Sequence, residues 1–172
     1  SKPEESWAVR QRYRNNPPTG KSGQPKNVNF GRLFMLCTLK GSELPEGHPD
    51  RKPKGRCVFA GNNVTDQSRD WAIFADLGSS PASLSAAKAA DFHGLLLGND
   101  TELADARQAY TQAHLNCDET DTFCHVPKEA WPKWWHDAGF VDPVCPLVLA
   151  LYGHPDSGTH WEQPVSSTHL TL

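Results

Sequence analysis

The segment richest in chemistry runs from Asp105 to Tyr110 (DARQAY). Residues 101–105 (TELAD) predict a short strand, so Asp105 would stand where that strand ends. A carboxylate in this position can bind Mg²⁺, and the turn after it offers backbone N–H groups and an aromatic ring to a nucleotide. An aspartate after a strand is also common as a turn or capping residue, so the pattern alone leaves both interpretations open.

Charge is segregated along the chain. Residues 1–60 hold 12 Lys and Arg against 5 Asp and Glu, whereas residues 61–172 hold 5 against 15, and the net charge of the whole chain is −3. A basic half is suited to phosphates and an acidic half to divalent metal, which favours a protein that binds both. The alternative is a solvated basic tail followed by an acidic domain, because runs of charge are often only solvated.

The cysteines favour a reducing, intracellular compartment. There are five of them, an odd number, with no C-x-x-C spacing, which argues against a disulfide scaffold and a zinc ribbon. Cys117, Cys124 and His125 come closest to a metal cluster, but they lack the ligand spacing of a structural zinc site. No apolar stretch approaches the roughly 20 residues that cross a bilayer, so we expect no membrane span.

The first part of the chain predicts an arm followed by a hairpin. Residues 1–27 carry structure-breaking residues and like charges, and we expect a mobile basic arm there, with at most a short helix near residues 7–13. Residues 28–39 (VNFGRLFMLCTL) predict a strand, and residues 55–61 (GRCVFAG) predict its partner. The proline-rich residues 41–53 would connect the two strands as a long loop.

The remainder predicts helices mixed with strands. Ser79, Ser80 and Pro81 predict the start of an alanine- and leucine-rich helix over about residues 82–97, whose apolar side chains would pack on a sheet. Residues 106–115 predict a turn into a short helix, and residues 122–126 predict a further strand. Residues 144–151 predict a buried strand or the start of a helix. This order predicts an α+β fold, with a mixed or antiparallel sheet packed by the helix at 82–97.

Four segments together resemble the reverse transcriptases of copia-type LTR retrotransposons. ADARQAYTQAHL resembles the family's first catalytic block, in which Asp-x-x-x-Ala-Tyr/Phe begins at a metal-binding aspartate. KGRCVFAGNNVTDQ resembles the basic strand of the fingers, TFCHVPKEAW the Val-Tyr-Val-x-x-Pro segment, and LALYGHPDSGTHWE the Leu-Tyr-Gly-Leu-Lys-Gln-x-Pro-x-x-Trp block. The blocks occur in the family's order, which divides the chain into an arm (1–27), a partial fingers and palm domain (28–163) and a divergent tail (164–172).

The first catalytic block carries most of what the resemblance implies about chemistry. It implies an RNA-directed DNA polymerase that transfers nucleotides with two Mg²⁺ ions, and Asp105 would be the first of three aspartates that hold them. Arg107, Gln108 and Ala109 match the turn that lies against the incoming triphosphate. Tyr110 matches an aromatic gate that favours deoxynucleotides, although a core aromatic would show the same pattern.

Two further blocks imply contacts with nucleic acid. Lys54 and Arg56 match phosphate-binding positions of the fingers strand, which contacts triphosphate or template. Tyr152 and Gly153 match the block that packs under the template base and the nascent pair, and a plain tight turn is the alternative for them. The implied partners are an RNA or DNA template-primer and a deoxynucleoside triphosphate.

The sequence departs from the family where the remaining metal ligands belong. The family supplies its other two aspartates from a Tyr-x-Asp-Asp hairpin, and the 172 residues contain no Asp-Asp pair. In the fourth block, Pro155 and Gly158 stand where the family has Lys and Pro. We therefore expect a truncated polymerase that is inactive alone, because one ligand of three cannot hold both metal ions in place.

Two alternatives belong to other classes of protein. One is a retrotransposon-derived segment reused as a structural or nucleic-acid-binding subunit, with a protein partner that covers the incomplete palm. The tryptophans Trp131, Trp134 and Trp135 could form such a partner contact. The other is a metal-dependent hydrolase that uses Asp105 with His93 or His114, which no motif spacing supports.

Overall fold

A five-stranded mixed sheet forms the centre of the computed structural model, which describes residues 2–74, 82–101, 108–115 and 118–162. The strands are β1 (Glu4–Glu5), β2 (Asn27–Lys40), β3 (Lys52–Phe59), β4 (Thr120–His125) and β5 (Pro143–Pro146), in the spatial order β1-β5-β4-β2-β3. β2 and β4 are parallel, and the other neighbouring pairs are antiparallel. The helices are α1 (Ser6–Asn15), α2 (Leu84–Gly94), α3 (Ala109–Gln112), a 3₁₀ helix (Lys128–Ala130) and α4 (Lys133–Asp137). The predicted α+β class and mixed sheet are confirmed.

Most predicted strands are present. β2 covers the run of β-forming residues expected at 28–39, and β3 and β4 overlap most of the runs expected at 55–61 and 122–126, each starting earlier and ending slightly sooner. The strand expected over 144–151 is shorter, because β5 ends at Pro146, a residue without the N–H that a continuing ladder needs. The strand expected at 101–105 and the helix start at Ser79 lie outside the described residues.

The beginning of the chain is part of the folded body, which corrects the expected mobile arm. Val9 and Tyr13 are one helical turn apart on α1, and both are buried. Together with β-sheet residues they form one core cluster: Val9, Tyr13, Val28, Phe30, Phe123 and Val144. The Arg10 guanidinium lies over the Phe30 ring at 3.8 Å from its centroid. The charged residues around Val9 and Tyr13 obscure this short apolar stripe in the sequence.

A second core cluster lies on the opposite side of the sheet. Its buried members are Phe59, Val64 and Cys124. Partly buried side chains surround them: Leu33, Ala72, Phe74, Cys145, Leu147 and Leu151. Gly31 makes room for this cluster, because a Cβ there would collide with the Phe59 ring. Packing on both sides fixes β2 and the end of β3 in the centre of the molecule.

Helix α2 does not pack the sheet. Ser83 caps it by accepting a hydrogen bond from the Ala86 N–H at 3.1 Å, so a helix in this region is confirmed. None of its residues is buried, however, and Leu84 and Phe92 are largely exposed. The expected packing of this helix on the sheet was wrong, and α1 fills that role. No helix within the described ranges is long and apolar enough to cross a membrane.

β2 and β3 extend beyond the other strands as a two-stranded ribbon, formed by residues 33–40 and 52–58. Its register pairs Phe34 with Val58 near the base and Lys40 with Lys52 at the tip. The last pair between β2 and β4 is Arg32 with His125, so among the described residues β3 is the only named strand beside the outer part of β2. Residues 34–40 and 52–56 are all exposed. The ribbon therefore presents both of its faces to solvent.

Candidate nucleic-acid interface

The ribbon has one face that carries its cations. Directly opposed residues in an antiparallel pair point to the same side. The register pairs Leu36 with Arg56, Thr38 with Lys54, and Lys40 with Lys52. All four basic residues, Lys40, Lys52, Lys54 and Arg56, are thus on one side, which we call the cationic face. All four are exposed, and neither β2 nor β3 contains an acidic residue.

The other side of the ribbon is apolar. Its register pairs are Met35 with Cys57, Cys37 with Gly55, and Leu39 with Pro53. Met35 is 63% exposed and Leu39 is 43% exposed. We call this side the apolar face. The cations of the ribbon are therefore all on one side, which they share with the exposed Phe34 and Leu36, and the apolar face carries no charge.

Part of the expected nucleotide site lies at the start of α3. Gln108 has a left-handed backbone (φ 53°), and its carbonyl accepts hydrogen bonds from the Thr111 N–H at 3.0 Å and hydroxyl at 2.9 Å. These bonds begin the helix at Ala109 and set the position of Tyr110. Asp105 and Arg107 lie outside the described residues.

Tyr110 meets Tyr152, which belongs to a different sequence block. Their ring centroids are 4.9 Å apart with an interplanar angle of 66°, an edge-to-face arrangement that aromatic quadrupoles favour. Tyr110 is partly buried, whereas Tyr152 keeps 41% of its surface exposed. An aromatic pair with one open ring is therefore available to a ligand here.

The Tyr152–Gly153 turn is fixed against the end of β3. The Phe59 N–H donates to the Tyr152 carbonyl at 2.8 Å. Gly153 has φ +88°, and a Cβ at this position would collide with the Phe59 carbonyl oxygen. Only glycine fits both the backbone angle and the close approach. The turn thus joins the fourth sequence block to the end of the basic strand.

A buried histidine supports this turn from behind. His154 is 5% exposed and packs against the rings of Phe59, at 4.9 Å, and Phe74, at 5.8 Å. Burial lowers the pKa of His154 to about 4, so its imidazole is neutral at physiological pH. Its Nδ1 accepts from the Asp156 N–H at 3.2 Å. Ser157 closes the turn, because its hydroxyl donates to the Leu151 carbonyl at 2.7 Å.

The predicted site residues fall into two groups. Tyr110, Tyr152 and Gly153 come together at the base of the ribbon. Arg56 and Lys54 lie three and five residues before Phe59, which is about 10 and 17 Å along the strand, so they are separate from the tyrosine pair. The cations form an extended surface along the ribbon, and the aromatic pair lies beside the end of β3.

Sequence reasoning missed the sidedness of the ribbon and the role of His154. The signal for the first was present, because Lys52, Lys54 and Arg56 alternate in the period of a strand. Burial of His154 has no such signal, since an isolated histidine after a turn looks the same whether it is exposed or enclosed.

The predicted metal ligand, Asp105, lies outside the described residues. Among the residues that the structure does describe, no three His, Cys, Asp or Glu side chains are grouped so that they could hold a metal ion.

Comparison with known proteins gives no relative from which a role could be transferred. The chain matches no protein-family model, and neither curated proteins nor solved structures include a significant match to it.

Proposed function

We propose that the chain is the fingers and part of the palm of a copia-type reverse transcriptase, and that it binds a template-primer through the cationic face of the ribbon. The observation that carries this proposal is the placement of Lys40, Lys52, Lys54 and Arg56 on one exposed side of two strands that contain no acidic residue. Cations that project from a rigid ribbon attract phosphates and release the counterions condensed on them.

The meeting of separate sequence blocks supports the same proposal. Tyr110 comes from the first catalytic block, Tyr152 from the fourth, and Phe59 from the basic strand, yet they lie together at the base of the ribbon. In the copia-type reverse transcriptases, which these blocks resemble, the corresponding blocks surround one nucleotide site. Their convergence here is what a shared function would require, and the open ring of Tyr152 offers a surface on which a base can stack.

Binding of a template-primer is the activity we propose for the 172 residues. Nucleotidyl transfer needs further carboxylate ligands for the metal ions. Asp105 would supply one ligand for Mg²⁺, which would activate the primer 3′-hydroxyl and offset charge on the triphosphate. The two further carboxylates would come from a following segment or from another chain. A polymerase assay of this chain alone is therefore expected to give no product.

The test is a titration of a fluorescently labelled template-primer at roughly 50 and 200 mM salt. The double variant Lys54→Gln/Arg56→Gln should bind more weakly, and the slope of log affinity against log salt should fall by about 1.8, since each lost phosphate contact removes about 0.9. The matched control is Lys88→Gln/Lys133→Gln, which removes two exposed cations from helices outside the ribbon. Equal slopes for wild type and the ribbon variant would overturn the proposal.

A second candidate function is that of a subunit covered by a protein partner. The apolar face favours it, because Met35, Leu39 and Cys37 are exposed side by side on a projecting element. Light scattering and urea unfolding of the isolated chain distinguish the candidates. A monomer that unfolds cooperatively would remove the reason for a partner, whereas association through the ribbon would favour it.

A further inference from the structure

Three arginines line a groove of about 530 Å³ between α1 and the loop formed by residues 65–70. Arg10 and Arg14 are one turn apart on α1, and Arg69 comes from the loop. The remaining lining residues are Trp7, Gln11 and Asn15. We call this cavity the arginine groove. Among the residues that the structure describes, its lining contains no acidic side chain.

The arginines are held in place by neutral acceptors. Arg10 donates to the Asp66 carbonyl oxygen and, at 3.1 Å, to the Thr65 hydroxyl. Arg14 donates through Nε to the Gln67 carbonyl at 3.0 Å. The carboxylate of Asp66 accepts from the amides of the loop itself, those of Ser68 and Asp70. The guanidinium groups of Arg10 and Arg14 are therefore oriented by neutral oxygen acceptors and not by direct ion pairs.

The charges also repel one another. The pKa of Arg10 is lowered, first by burial and then by the positive charges of Arg69 and Arg14. Asp66 and Asp142 act in the opposite direction but do not reverse the shift. Repulsion of this kind is relieved when an anion enters between the cations.

The loop that carries Arg69 is rigidly attached to the sheet. Thr65 exchanges both backbone hydrogen bonds with Phe30, at 2.7 and 3.0 Å. The Gln67 side chain accepts from the Val28 N–H at 3.2 Å. Arg69 itself has φ 74°, a left-handed conformation that is uncommon for a residue other than glycine. The backbone of Arg69 is thus fixed beside α1, and its side chain lines the same groove as Arg10.

The arginine groove continues toward the ribbon. A neighbouring cavity of about 340 Å³ shares Arg10 and Arg69 with it and is also lined by Arg32. One carboxylate, that of Asp142, lines this cavity too, and it is paired with His125 at 2.9 Å. Arg32, Phe34 and Leu36 follow one another at every second position of β2, so their side chains point to the same side of the sheet. This is the side that carries the cationic face. One strand of nucleic acid could follow this side from the ribbon to α1.

We propose that the arginine groove binds single-stranded nucleic acid, with phosphates on Arg14 and Arg69 and a base stacked on Trp7. Guanidinium forks match phosphate oxygens in geometry as well as charge. Trp7 is 62% exposed at the edge of the groove, and a base can stack on an indole without regard to its sequence. The site extends the proposed template binding and rests on it, since both surfaces would hold the same polymer.

The experiment measures the anisotropy of labelled single strands of about 12 nucleotides, one DNA and one RNA, over the same range of salt. Arg14→Gln/Arg69→Asn should lower the salt slope by about 1.4, because each phosphate contact on a single strand contributes about 0.7. Asparagine is chosen at 69 because it tolerates a left-handed backbone. Trp7→Ala should weaken binding about tenfold and leave the slope unchanged.

The matched control is Arg12→Gln, which removes a cation from the same helix but from a side chain already paired with Glu4. It should change neither affinity nor slope. Circular dichroism and the midpoint of urea unfolding verify that each variant is folded, and Trp7→Ala tests the site independently if the arginine variant is unstable.

The outcomes separate this inference from the proposed function. If both groove variants bind as tightly as the wild-type protein while Lys54→Gln/Arg56→Gln binds more weakly, the proposed role of the arginine groove is overturned and that of the ribbon is kept. Weakened binding by the groove variants alone would support the groove and overturn the role of the ribbon. Unchanged binding in all of them, or no binding by wild type, would overturn both.

Discussion

The ring of Tyr110 meets the ring of Tyr152 edge-on, with centroids 4.9 Å apart. The backbone of Tyr152 also accepts a hydrogen bond from Phe59. One contact therefore connects the helix that follows the candidate metal-binding aspartate to the strand that carries the candidate phosphate-binding cations.

The tyrosine pair should show a measurable coupling energy. Tyr110→Leu, Tyr152→Leu and the double variant form a double-mutant cycle. The free energy of unfolding lost by the double variant should differ from the sum of the two single losses by roughly 0.5–1.5 kcal/mol, the value of an edge-to-face aromatic pair. Urea unfolding measures all four proteins. A cycle of Tyr110→Leu with the distant Trp7→Leu is the control and should be additive; additivity in both cycles would show that the ring contact is absent in solution.

Alanine at Gly153 should be far more costly than alanine at another glycine of similar backbone angle. Gly47, with φ +84° in open space, isolates the cost of the left-handed backbone, about 1–2 kcal/mol. Gly153→Ala adds the collision with the Phe59 carbonyl, a further ~1–3 kcal/mol. Thermal unfolding compares the two variants, and equal melting temperatures would contradict the close approach of the turn to β3.

The stability of the protein should fall in mild acid because of His154. The unfolded chain binds a proton near the ordinary histidine pKa of 6.5, whereas burial keeps folded His154 neutral down to about pH 4. The free energy of unfolding should therefore decrease as the pH falls from 6.5 to 4, by up to about 3 kcal/mol from His154. Urea unfolding across this range should show the loss in wild type.

The variant His154→Gln should lose most of that pH dependence. The pKa of His125 is also lowered by burial, so a smaller dependence of the same sign should remain. His48→Gln, in the exposed loop of the ribbon, is the matched control and should keep the wild-type profile. A parallel profile for His154→Gln and wild type would disprove the neutral, buried state of His154.

Two cysteines should differ sharply in reactivity. Burial raises the pKa of the Cys124 thiol to about 12, whereas Cys37 is exposed on the ribbon. Alkylation by iodoacetamide near neutral pH should label Cys37 at least about 100-fold faster than Cys124, since the thiolate is the reactive form. Peptide mass spectrometry measures both rates, and the difference should disappear in denaturant. Equal rates in the native protein would refute the buried position of Cys124.

The parts of the fold that depend on local residue pattern could be predicted from the sequence. β2, β3 and β4 follow from runs of β-forming residues, and the Ser83 cap lies near the expected helix start. The parallel pairing of β2 with β4 could not be predicted, because it joins segments separated by almost half of the chain and depends on how the whole sheet packs.

The errors have a common physical cause. The apolar residues of α2 have the spacing of a buried face, yet they are exposed, while the sparse stripe of Val9 and Tyr13 is buried. Periodicity indicates which side chains share a face, but it does not indicate whether another element covers that face. For the same reason the arginine groove was missed, although Arg10 and Arg14 stand one turn apart.

The register of β3 has a consequence for self-association. The Ala60 N–H donates to β2, whereas the Phe59 N–H points away from β2. Because backbone amides alternate in direction along a strand, every second residue back from Phe59 faces the open edge of the ribbon, and residue 53 is one of these. That residue is proline, which has no amide proton to offer to an incoming strand. Together with the lysines on either side of it, Pro53 hinders edge-to-edge stacking of ribbons from different molecules. An element exposed on both faces can thereby project into solvent without starting a fibril.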